Sequence, residues 1–187
     1  MQVYLIRHTT PSIGNGICYG QTDIAVNEAV FEQELKIIQS KIPNDIEQFY
    51  TSPLIRCKKL TKHLTENFIK DERLKELNFG EWENKNWNEI DQTQLNTWMQ
   101  DFVNISTPKG ENYIDLHNRT RGFIDSILET NYQKIAIVTH AGNIRSFLSF
   151  VLSLPLENTF RIHLDYGAVV SIKFNNSENN NKLISII

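Results

Sequence analysis

Two apolar segments of the chain each run into a histidine, and this repetition constrains the fold more than any other feature. Residues 3–6 lead into Arg7 and His8, and residues 135–138 lead, after one threonine, into His140. Continuous apolar runs of this length are typical of strands buried on both faces of a parallel sheet. Ligands bind just beyond the carboxyl ends of such strands. We therefore expect both imidazoles at one edge of the sheet, beside an arginine suited to an anion.

Strand-like and helix-like segments alternate along the rest of the chain. The patterns predict helices over 27–40, 53–67, 112–130 and 142–152, and strands over 46–50, 68–69, 134–139, 160–174 and 182–187. Ser52 is placed to cap the second helix and Pro53 to occupy its first turn. This alternation predicts an α/β fold, a three-layer αβα sandwich with a mostly parallel central sheet and an antiparallel edge strand. We expect one domain over residues 1–187.

Residues 82–103 hold all three tryptophans and an excess of acidic side chains. Their apolar spacing predicts a helical segment packed over the end of the sheet, near the site cleft. A role in the core is the first interpretation, but Trp82 or Trp87 could stack on an aromatic ligand if part of the segment faces the cleft. The asparagine-rich residues 175–181 predict a solvated turn.

Composition narrows the classes of partner. The net charge of −3 gives no basic field for nucleic acid or an anionic membrane, so an anion must be held by local arginines. Cys18 and Cys57 are too few for a disulfide framework or a cysteine zinc site, and reduced thiols in the cytoplasm are the expectation. No signal peptide pattern is seen, and no apolar run approaches the roughly 20 residues that span a bilayer.

Several polar residues stand where they could bind a phosphate or move a proton. Arg7 supplies a planar cationic fork, and Arg56 lies early in a predicted helix whose N-terminus favours anions, although a surface role is the alternative. Glu76 lies between apolar neighbours, and the partial burial this indicates would suit a general acid. The small residues Ala141 and Gly142 would leave a helix N-terminus open to a ligand. We expect structural or solvated roles for the remaining candidates: Glu72, Glu81, Arg145, His63, His117 and His163. For Arg145, pairing with a carboxylate or an approach to the substrate is the alternative.

A metal site built from His8, His140 and His163 is the competing use of the histidines. Arg7 and Arg56 would repel a bound cation, so we expect no metal and no other cofactor. His163 alternates with its neighbours as a strand residue would.

Taken together, the motifs resemble those of the histidine phosphatase superfamily, also known as the phosphoglycerate mutase-like fold. The matching segments are residues 5–9, 51–57, 74–83 and 138–142. Thr9 stands where the family usually has glycine. Residues 16–23 look most like the alpha-ribazole phosphatases of cobalamin synthesis, some of whose relatives share the threonine.

The resemblance implies a phosphomonoester hydrolase that forms a phosphohistidine. It assigns His8 as nucleophile, Glu76 as general acid, and Arg7, Arg56 and His140 as stabilisers of the phosphoryl group. The further substrate contacts we expect are Asn15, Tyr19, Gly20, Gln21, Ala141 and Gly142. The implied substrate is a small phosphomonoester, alpha-ribazole 5′-phosphate.

Three alternatives remain open at this point. These are a broad-specificity phosphatase, a cofactor-dependent phosphoglycerate mutase, and a non-catalytic protein that binds a phosphorylated ligand. The short segment between Glu76 and His140 favours a phosphatase over the true mutases, which usually carry a longer insertion there. A homodimer is also left open.

Overall fold

The computed structural model describes residues 1–175 and 180–187, and at its centre lies one six-stranded sheet. The strands are β1 (Gln2–Arg7), β2 (Gln48–Thr51), β3 (Phe68–Lys70), β4 (Lys134–Thr139), β5 (Val169–Lys173) and β6 (Lys182–Ile186). Their order is β3-β2-β4-β1-β5-β6, with the first four parallel and the β5–β6 hairpin added antiparallel to β1. The predicted mostly parallel sheet with an antiparallel edge is confirmed.

Helices cover both faces of this sheet. They are α1 (Glu28–Lys41), α2 (Ile55–Leu64), α4 (Tyr113–Leu128) and α5 (Ala141–Leu152), whereas α3 (Gln92–Gln100) packs in a separate apolar cluster. Side chains of β1 alternate between two separate cores: Leu5 packs in the one formed with α4 and α5, and Ile6 in the one formed with α1 and α2. The three-layer prediction is therefore confirmed.

The second helix begins later than predicted, at Ile55 rather than residue 53. Its N-cap is Leu54, which has an extended backbone and makes no side-chain cap. The Ser52 hydroxyl lies 2.8 Å from the Nε2 atom of His140, whereas its hydrogen bond from the backbone N–H of Leu54 is longer, at 3.4 Å. The prediction that Ser52 caps this helix is thus wrong, because the Ser52 hydroxyl is hydrogen-bonded to His140, the residue that follows β4. The helix also ends at Leu64, before the predicted residue 67.

The strand predicted over 160–174 is mostly irregular. A 3₁₀ helix covers Leu156–Arg161, and β5 begins only at Val169. Gly167 has a φ of +70°, and the backbone N–H of Ala168 donates to the carbonyl of Asp165, so a turn interrupts the extended pattern. His163 lies in this irregular segment, its side chain is 84% exposed, and it bonds Asp165.

The tryptophan-rich segment is only partly helical. An α-helix covers Gln92–Gln100 alone, and single 3₁₀ turns cover Gly80–Trp82 and Trp87–Glu89. The side chains of Asn86 and Asp91 each bond backbone N–H groups ahead of them and so start new elements. These local caps break the continuous helix that the apolar spacing predicts.

The described residues include no helix with the length and apolar character needed to cross a membrane. The predicted turn over 175–181 lies partly outside the described residues.

Candidate active site

The two strand-end histidines meet at the carboxyl edge of the sheet. Arg7 and Thr139 are register partners in β1 and β4, and the backbone N–H of His8 donates to the carbonyl of Thr139 over 3.0 Å. The imidazole centroids of His8 and His140 are 5.0 Å apart, with an angle of 63° between the rings. Parallel pairing of two distant segments therefore brings both rings to one place.

Hydrogen bonds fix the tautomer of His8. Its Nδ1 atom lies 2.7 Å from the carbonyl oxygen of Thr9, and a carbonyl can only accept, so Nδ1 carries the proton. Its Nε2 atom accepts from the Nε–H group of Arg56 over 3.3 Å. Nε2 therefore keeps a lone pair, which is what a nucleophile requires.

The surroundings also keep His8 neutral. Burial is the largest cause that lowers its pKa well below the ordinary value of 6.5, followed by the charges of Arg56 and Arg7. The hydrogen bond to Thr9 opposes this shift without reversing it. The imidazole is therefore neutral near neutral pH, with its single proton on Nδ1.

Arg56 is fully buried directly beside His8. Its Nη1 atom donates to the carbonyl of Thr22 over 2.9 Å, and its Nη2 atom donates to the carbonyl of Gly20 over 2.5 Å. No carboxylate forms an ion pair with Arg56 among the described residues. Its positive charge is thus left available to an anionic ligand.

Arg7 provides a second cation at the same edge. One terminal nitrogen donates to the carbonyl of Leu164, and the guanidinium lies 3.9 Å above the ring of Tyr166. Its Nε atom is buried and has no hydrogen-bond partner within the described part of the chain. A buried, unpaired N–H costs about 1–3 kcal/mol, so an acceptor oxygen on a ligand would be stabilising here.

His140 lies deeper than His8 and is fully buried. Its Nε2 atom is 2.8 Å from the hydroxyl of Ser52 and 3.4 Å from the Sγ atom of Cys57. Burial lowers its pKa well below 6.5, and the charges of Arg56 and His8 add to the effect. His140 is therefore neutral near neutral pH and keeps one ring N–H as a hydrogen-bond donor.

Glu76 is held against the start of α5. Its Oε1 atom accepts from the backbone N–H of Leu77 over 2.9 Å, and its Oε2 atom accepts from that of Gly142 over 3.1 Å. A Cβ atom at position 142 would lie 2.2 Å from Oε1 of Glu76, so only glycine permits this contact. The half-buried carboxylate is therefore fixed beside the helix that follows His140.

A cavity of about 200 Å³ opens onto Arg7, His8 and Glu76, whereas Arg56 and His140 are buried behind its wall. Of the predicted residues, Arg7, His8, Tyr19, Glu76 and Gly142 line it. The remaining wall consists of apolar and aromatic side chains with one further arginine: Ile17, Leu77, Phe79, Trp87, Tyr113, Arg145 and Phe160. One end of the cavity thus carries the Arg7 guanidinium and the His8 imidazole, and the rest can bind an organic group.

The sequence model of the histidine phosphatase superfamily (branch 1) matches residues 3–186. This chain belongs to that superfamily. In this histidine phosphatase, Thr9 orients the His8 ring at the cationic edge through its carbonyl oxygen.

Proteins similar to this histidine phosphatase are named for several different substrates. It is 27% identical over 179 residues to a Hydrogenobacter thermophilus protein named "Putative phosphoserine phosphatase 2", covering 91% of this chain and 88% of the relative. The alpha-ribazole phosphatase of Shigella flexneri superposes with a TM-score of 0.86 at 22% identity, covering 98% and 95%. A phosphoserine phosphatase mutant of Entamoeba histolytica, solved with phosphoserine, superposes with a TM-score of 0.85 at 18% identity, covering 99% and 95%. The two superpositions show a shared fold.

Some predicted contact residues of this histidine phosphatase lie behind the cavity wall. Gly20 is buried and offers its carbonyl to Arg56, while the side-chain amide of Gln21 donates to the carbonyl of Glu76 over 3.1 Å. Ala141 is buried beside Gly142. Asn15 is exposed and lines a neighbouring cleft, which shares Ile17 and Tyr19 with the main cavity.

Three aromatic residues near the site were not assigned from the sequence: Tyr113 and Phe160, which line the main cavity, and Tyr166, which lines the neighbouring cleft. Tyr113 donates from its hydroxyl to the carbonyl of Gly142 over 3.2 Å, and Phe160 packs at 5.4 Å from the Tyr113 ring. Tyr166 stacks on Arg7 and its hydroxyl lies 2.6 Å from that of Tyr19. No local motif marks these aromatic residues, because each reaches the site through tertiary packing.

Arg145 lines the cavity. It also has the structural role that the sequence predicts for it. Its Nε atom donates to the carbonyl of Ile162 over 3.1 Å. Its guanidinium lies 4.9 Å from the Phe160 ring and lines the cavity. Trp87 also lines the cavity, whereas Trp82 is buried in the aromatic core.

Glu83 organises the loop that holds Arg56. Its Oε1 atom accepts from the backbone N–H groups of Gln21 and Phe79, at 2.9 and 3.0 Å. Its Oε2 atom accepts from both the N–H and the hydroxyl of Thr22. The carbonyls that bind Arg56 are thus fixed by an acidic residue 27 positions further along the chain.

No cluster of three or more histidine, cysteine, aspartate or glutamate side chains that could hold a metal occurs within residues 1–175 and 180–187. His163, the third member of the competing metal hypothesis, lies on the exposed surface.

Proposed function

We propose that this protein hydrolyses phosphomonoesters by way of a phosphohistidine at Nε2 of His8. The observation that carries the proposal is the tautomer of His8: the Thr9 carbonyl holds the proton on Nδ1, and burial beside two arginines keeps the ring neutral. A neutral imidazole with its lone pair on the nitrogen next to Arg56 is a nucleophile already aligned with a phosphate clamp.

In the first step, Nε2 of His8 attacks phosphorus while the ester P–O bond breaks. Glu76, protonated in this step, gives its proton to the departing oxygen, because an alkoxide is a poor leaving group. Arg7 and Arg56 bind the non-bridging oxygens electrostatically as charge shifts, and His140 donates a hydrogen bond. The products of this step are the free alcohol and a phosphoenzyme.

In the second step, water attacks the same phosphorus and the P–N bond breaks. The Glu76 carboxylate accepts a proton from that water, and inorganic phosphate leaves with the enzyme restored. The proton that Glu76 gave to the alcohol is thereby replaced by one from water, and Glu76 ends the cycle protonated as it began. The arginines supply the positive charge, so this sequence requires no metal.

The test is phosphate release from p-nitrophenyl phosphate. His8→Ala should abolish it, whereas His163→Ala, the matched control at the exposed histidine, should leave it unchanged. Turnover should also persist in excess chelator. Activity retained in His8→Ala would overturn the nucleophile assignment, and loss of activity in chelator would revive the metal hypothesis. No hydrolysis of any aryl phosphate would favour the non-catalytic binding protein.

For the substrate, our first candidate is alpha-ribazole 5′-phosphate. The resemblance of residues 16–23 to that branch supports it, together with an aromatic wall of Phe79, Trp87 and Tyr19 on which a benzimidazole base could stack. The measurement is a competition, in which alpha-ribazole phosphate is expected to show a higher kcat/KM than phosphoglycerates and sugar phosphates. A flat profile would indicate a broad-specificity phosphatase instead.

A second candidate class is small phosphate esters that carry a carboxylate, such as phosphoserine or phosphoglycerate. The observation that favours it is Arg145, whose terminal nitrogens have no hydrogen-bond partner within the described residues while the guanidinium lines the cavity. Comparing phosphoserine with phosphoethanolamine isolates the carboxylate. Adding 2,3-bisphosphoglycerate with a monophosphoglycerate tests mutase activity, and isomerisation would overturn the assignment as a hydrolase.

A further inference from the structure

An ion pair lies behind the loop that carries Glu76. The Nη2 atom of Arg119, on α4, is 2.7 Å from Oε1 of Glu111, and its Nε atom donates to Oε2 of Glu111 over 3.3 Å. Both side chains are about four-fifths buried, with 19% and 18% of their surface exposed. Neither residue lines the cavity or contacts His8. The pair is thus separate from the groups assigned to the reaction.

The same guanidinium binds the loop's backbone. Its Nη1 atom donates to the carbonyls of Arg73 and Lys75, over 2.7 and 2.5 Å. Its Nη2 atom donates to the carbonyl of Glu76 itself, over 2.9 Å. Every nitrogen of Arg119 is therefore used, and the contacts converge on the residues that set the position of the proposed acid.

Glu111 fixes the loop on the other side of Glu76. Its Oε1 atom accepts from the backbone N–H of Asn78 over 2.9 Å, and its own N–H donates to the Asn78 carbonyl over 2.9 Å. The segment 73–78 is consequently held at two points, by Arg119 within α4 and by Glu111 just before that helix. The Glu111 carboxylate and the Arg119 guanidinium are also paired with each other. Because both groups are charged, their hydrogen bonds to the backbone are of the strong, charge-assisted kind.

The Glu76 carboxylate depends on this backbone for its position. Its hydrogen bonds in the described structure come from the backbone N–H groups of Leu77 and Gly142, and no side chain donates to it there. A shift of the loop would therefore move the carboxylate directly. Misplacement of a catalytic group by about 1 Å can cost on the order of 100-fold in rate.

We propose that Arg119 and Glu111 form a positioning pair that holds Glu76 at the distance needed to protonate the leaving group. This proposal rests on the phosphatase function proposed above. It goes beyond that function because it assigns a role in the leaving-group step to two residues outside the cavity. The pair does not touch the phosphate clamp of Arg7 and Arg56, and a lysine at position 119 keeps the positive charge that helps to lower the pKa of His140. The effect of Arg119→Lys should therefore be confined to steps that need the acid.

The test compares variants on two substrates. Arg119→Lys keeps the charge but loses the fork that reaches three carbonyls, and should lower kcat for an alkyl phosphate such as β-glycerol phosphate by about 10- to 100-fold. For p-nitrophenyl phosphate, whose leaving group needs little protonation, kcat should change less than about 3-fold. KM should stay nearly constant for both. Arg121→Lys, two residues further along α4, is the matched control and should change neither substrate.

A double mutant separates positioning from general structural damage. In a Glu76→Gln background the acid is absent, so Arg119→Lys should cause no further loss on the alkyl phosphate. Equal losses on both substrates, or a loss that persists in the Glu76→Gln background, would overturn the proposal. If Arg119→Lys does not fold, as a thermal melt would show, Glu111→Gln is subjected to the same comparison with the same two outcomes. A wild-type enzyme without His8-dependent hydrolysis would instead refute the proposed function.

Discussion

Gly142 and the Glu76 carboxylate are in direct contact, and this contact leaves no room for a side chain at position 142. The backbone N–H of Gly142 donates to Oε2 of Glu76 over 3.1 Å, and a Cβ atom on residue 142 would lie 2.2 Å from Oε1. The N-terminus of α5, which follows His140 directly, thus fixes the proposed acid relative to the phosphate-binding edge.

Gly142→Ala should displace the Glu76 carboxylate. A methyl group must push that carboxylate and also lies 3.1 Å from the Leu116 side chain, and such overpacking costs about 1–3 kcal/mol of stability. We expect kcat for an alkyl phosphate to fall by about 10- to 100-fold, with a much smaller loss for an aryl phosphate. Steady-state kinetics on both substrates measure this. A variant with unchanged alkyl phosphate turnover would show that the contact has no role in catalysis.

Glu76→Gln should remove the acid without changing its shape. General acid–base catalysis contributes about 100- to 10,000-fold, so alkyl phosphates should lose a factor in this range. Activated aryl phosphates should lose far less, because their leaving groups depart without protonation. The slope of log kcat against leaving-group pKa is the measurement. Parallel losses across the series would count against Glu76 as the proton donor.

Unlike Glu76→Gln, Glu83→Gln should lower kcat/KM equally for alkyl and aryl phosphates. An amide cannot accept all the N–H and O–H donors that the carboxylate binds, so the loop presenting carbonyls to Arg56 should loosen. Weaker phosphate binding should lower kcat/KM by about 10- to 100-fold on both substrates. Glu81→Gln, which breaks only an ion pair with the exposed Lys109, is the control. A loss confined to alkyl phosphates would contradict this role for Glu83.

The pKa values of His8 and His140 predict a loss of stability in mild acid. Both values are held well below 6.5, by burial first and then by the nearby arginines. Between the folded and unfolded pKa values the unfolded chain binds more protons, so the stabilisation is complete above pH 6.5 and declines as pH falls below it. Each histidine contributes a slope of up to about 1.4 kcal/mol per pH unit.

Urea unfolding of the wild type and of a His8→Asn, His140→Asn double variant, from pH 7.5 to 5, measures that contribution. The free energy of unfolding should fall less steeply with decreasing pH in the variant. Identical slopes in the two proteins would show that neither imidazole is held neutral by the fold.

The sequence predicts the centre of this site well because its residues are anchored to regular elements. Apolar runs identify β1 and β4 as buried strands, and strands in parallel register must deliver His8 and His140 to the same edge. Glu76 is recognised from its motif, although its position depends on Gly142 of another element. These predictions need only strand direction and chain order.

Other features depend on side chains that meet from distant parts of the chain. Ser52 has the local signature of a helix cap, but the buried His140 engages its hydroxyl and the helix starts later. The segment 160–168 alternates like a strand, yet the turn at Gly167 curls it so that Tyr166 reaches Arg7. In the sequence, Arg119 resembles any helix arginine, and only the structure shows its hydrogen bond to the backbone of Glu76. Local patterns carry no information about such contacts.

Trapping the intermediate is the most direct test of the central claim that Nε2 of His8 carries the phosphoryl group. The wild-type enzyme would be mixed with ³²P-labelled substrate, quenched within one turnover in alkali, and digested for mass spectrometry. The account predicts a base-stable, acid-labile phosphate on residue 8, attached at Nε2, and none in His8→Ala. A phosphoenzyme labelled at another residue, or the same label in the His8→Ala variant, would contradict it.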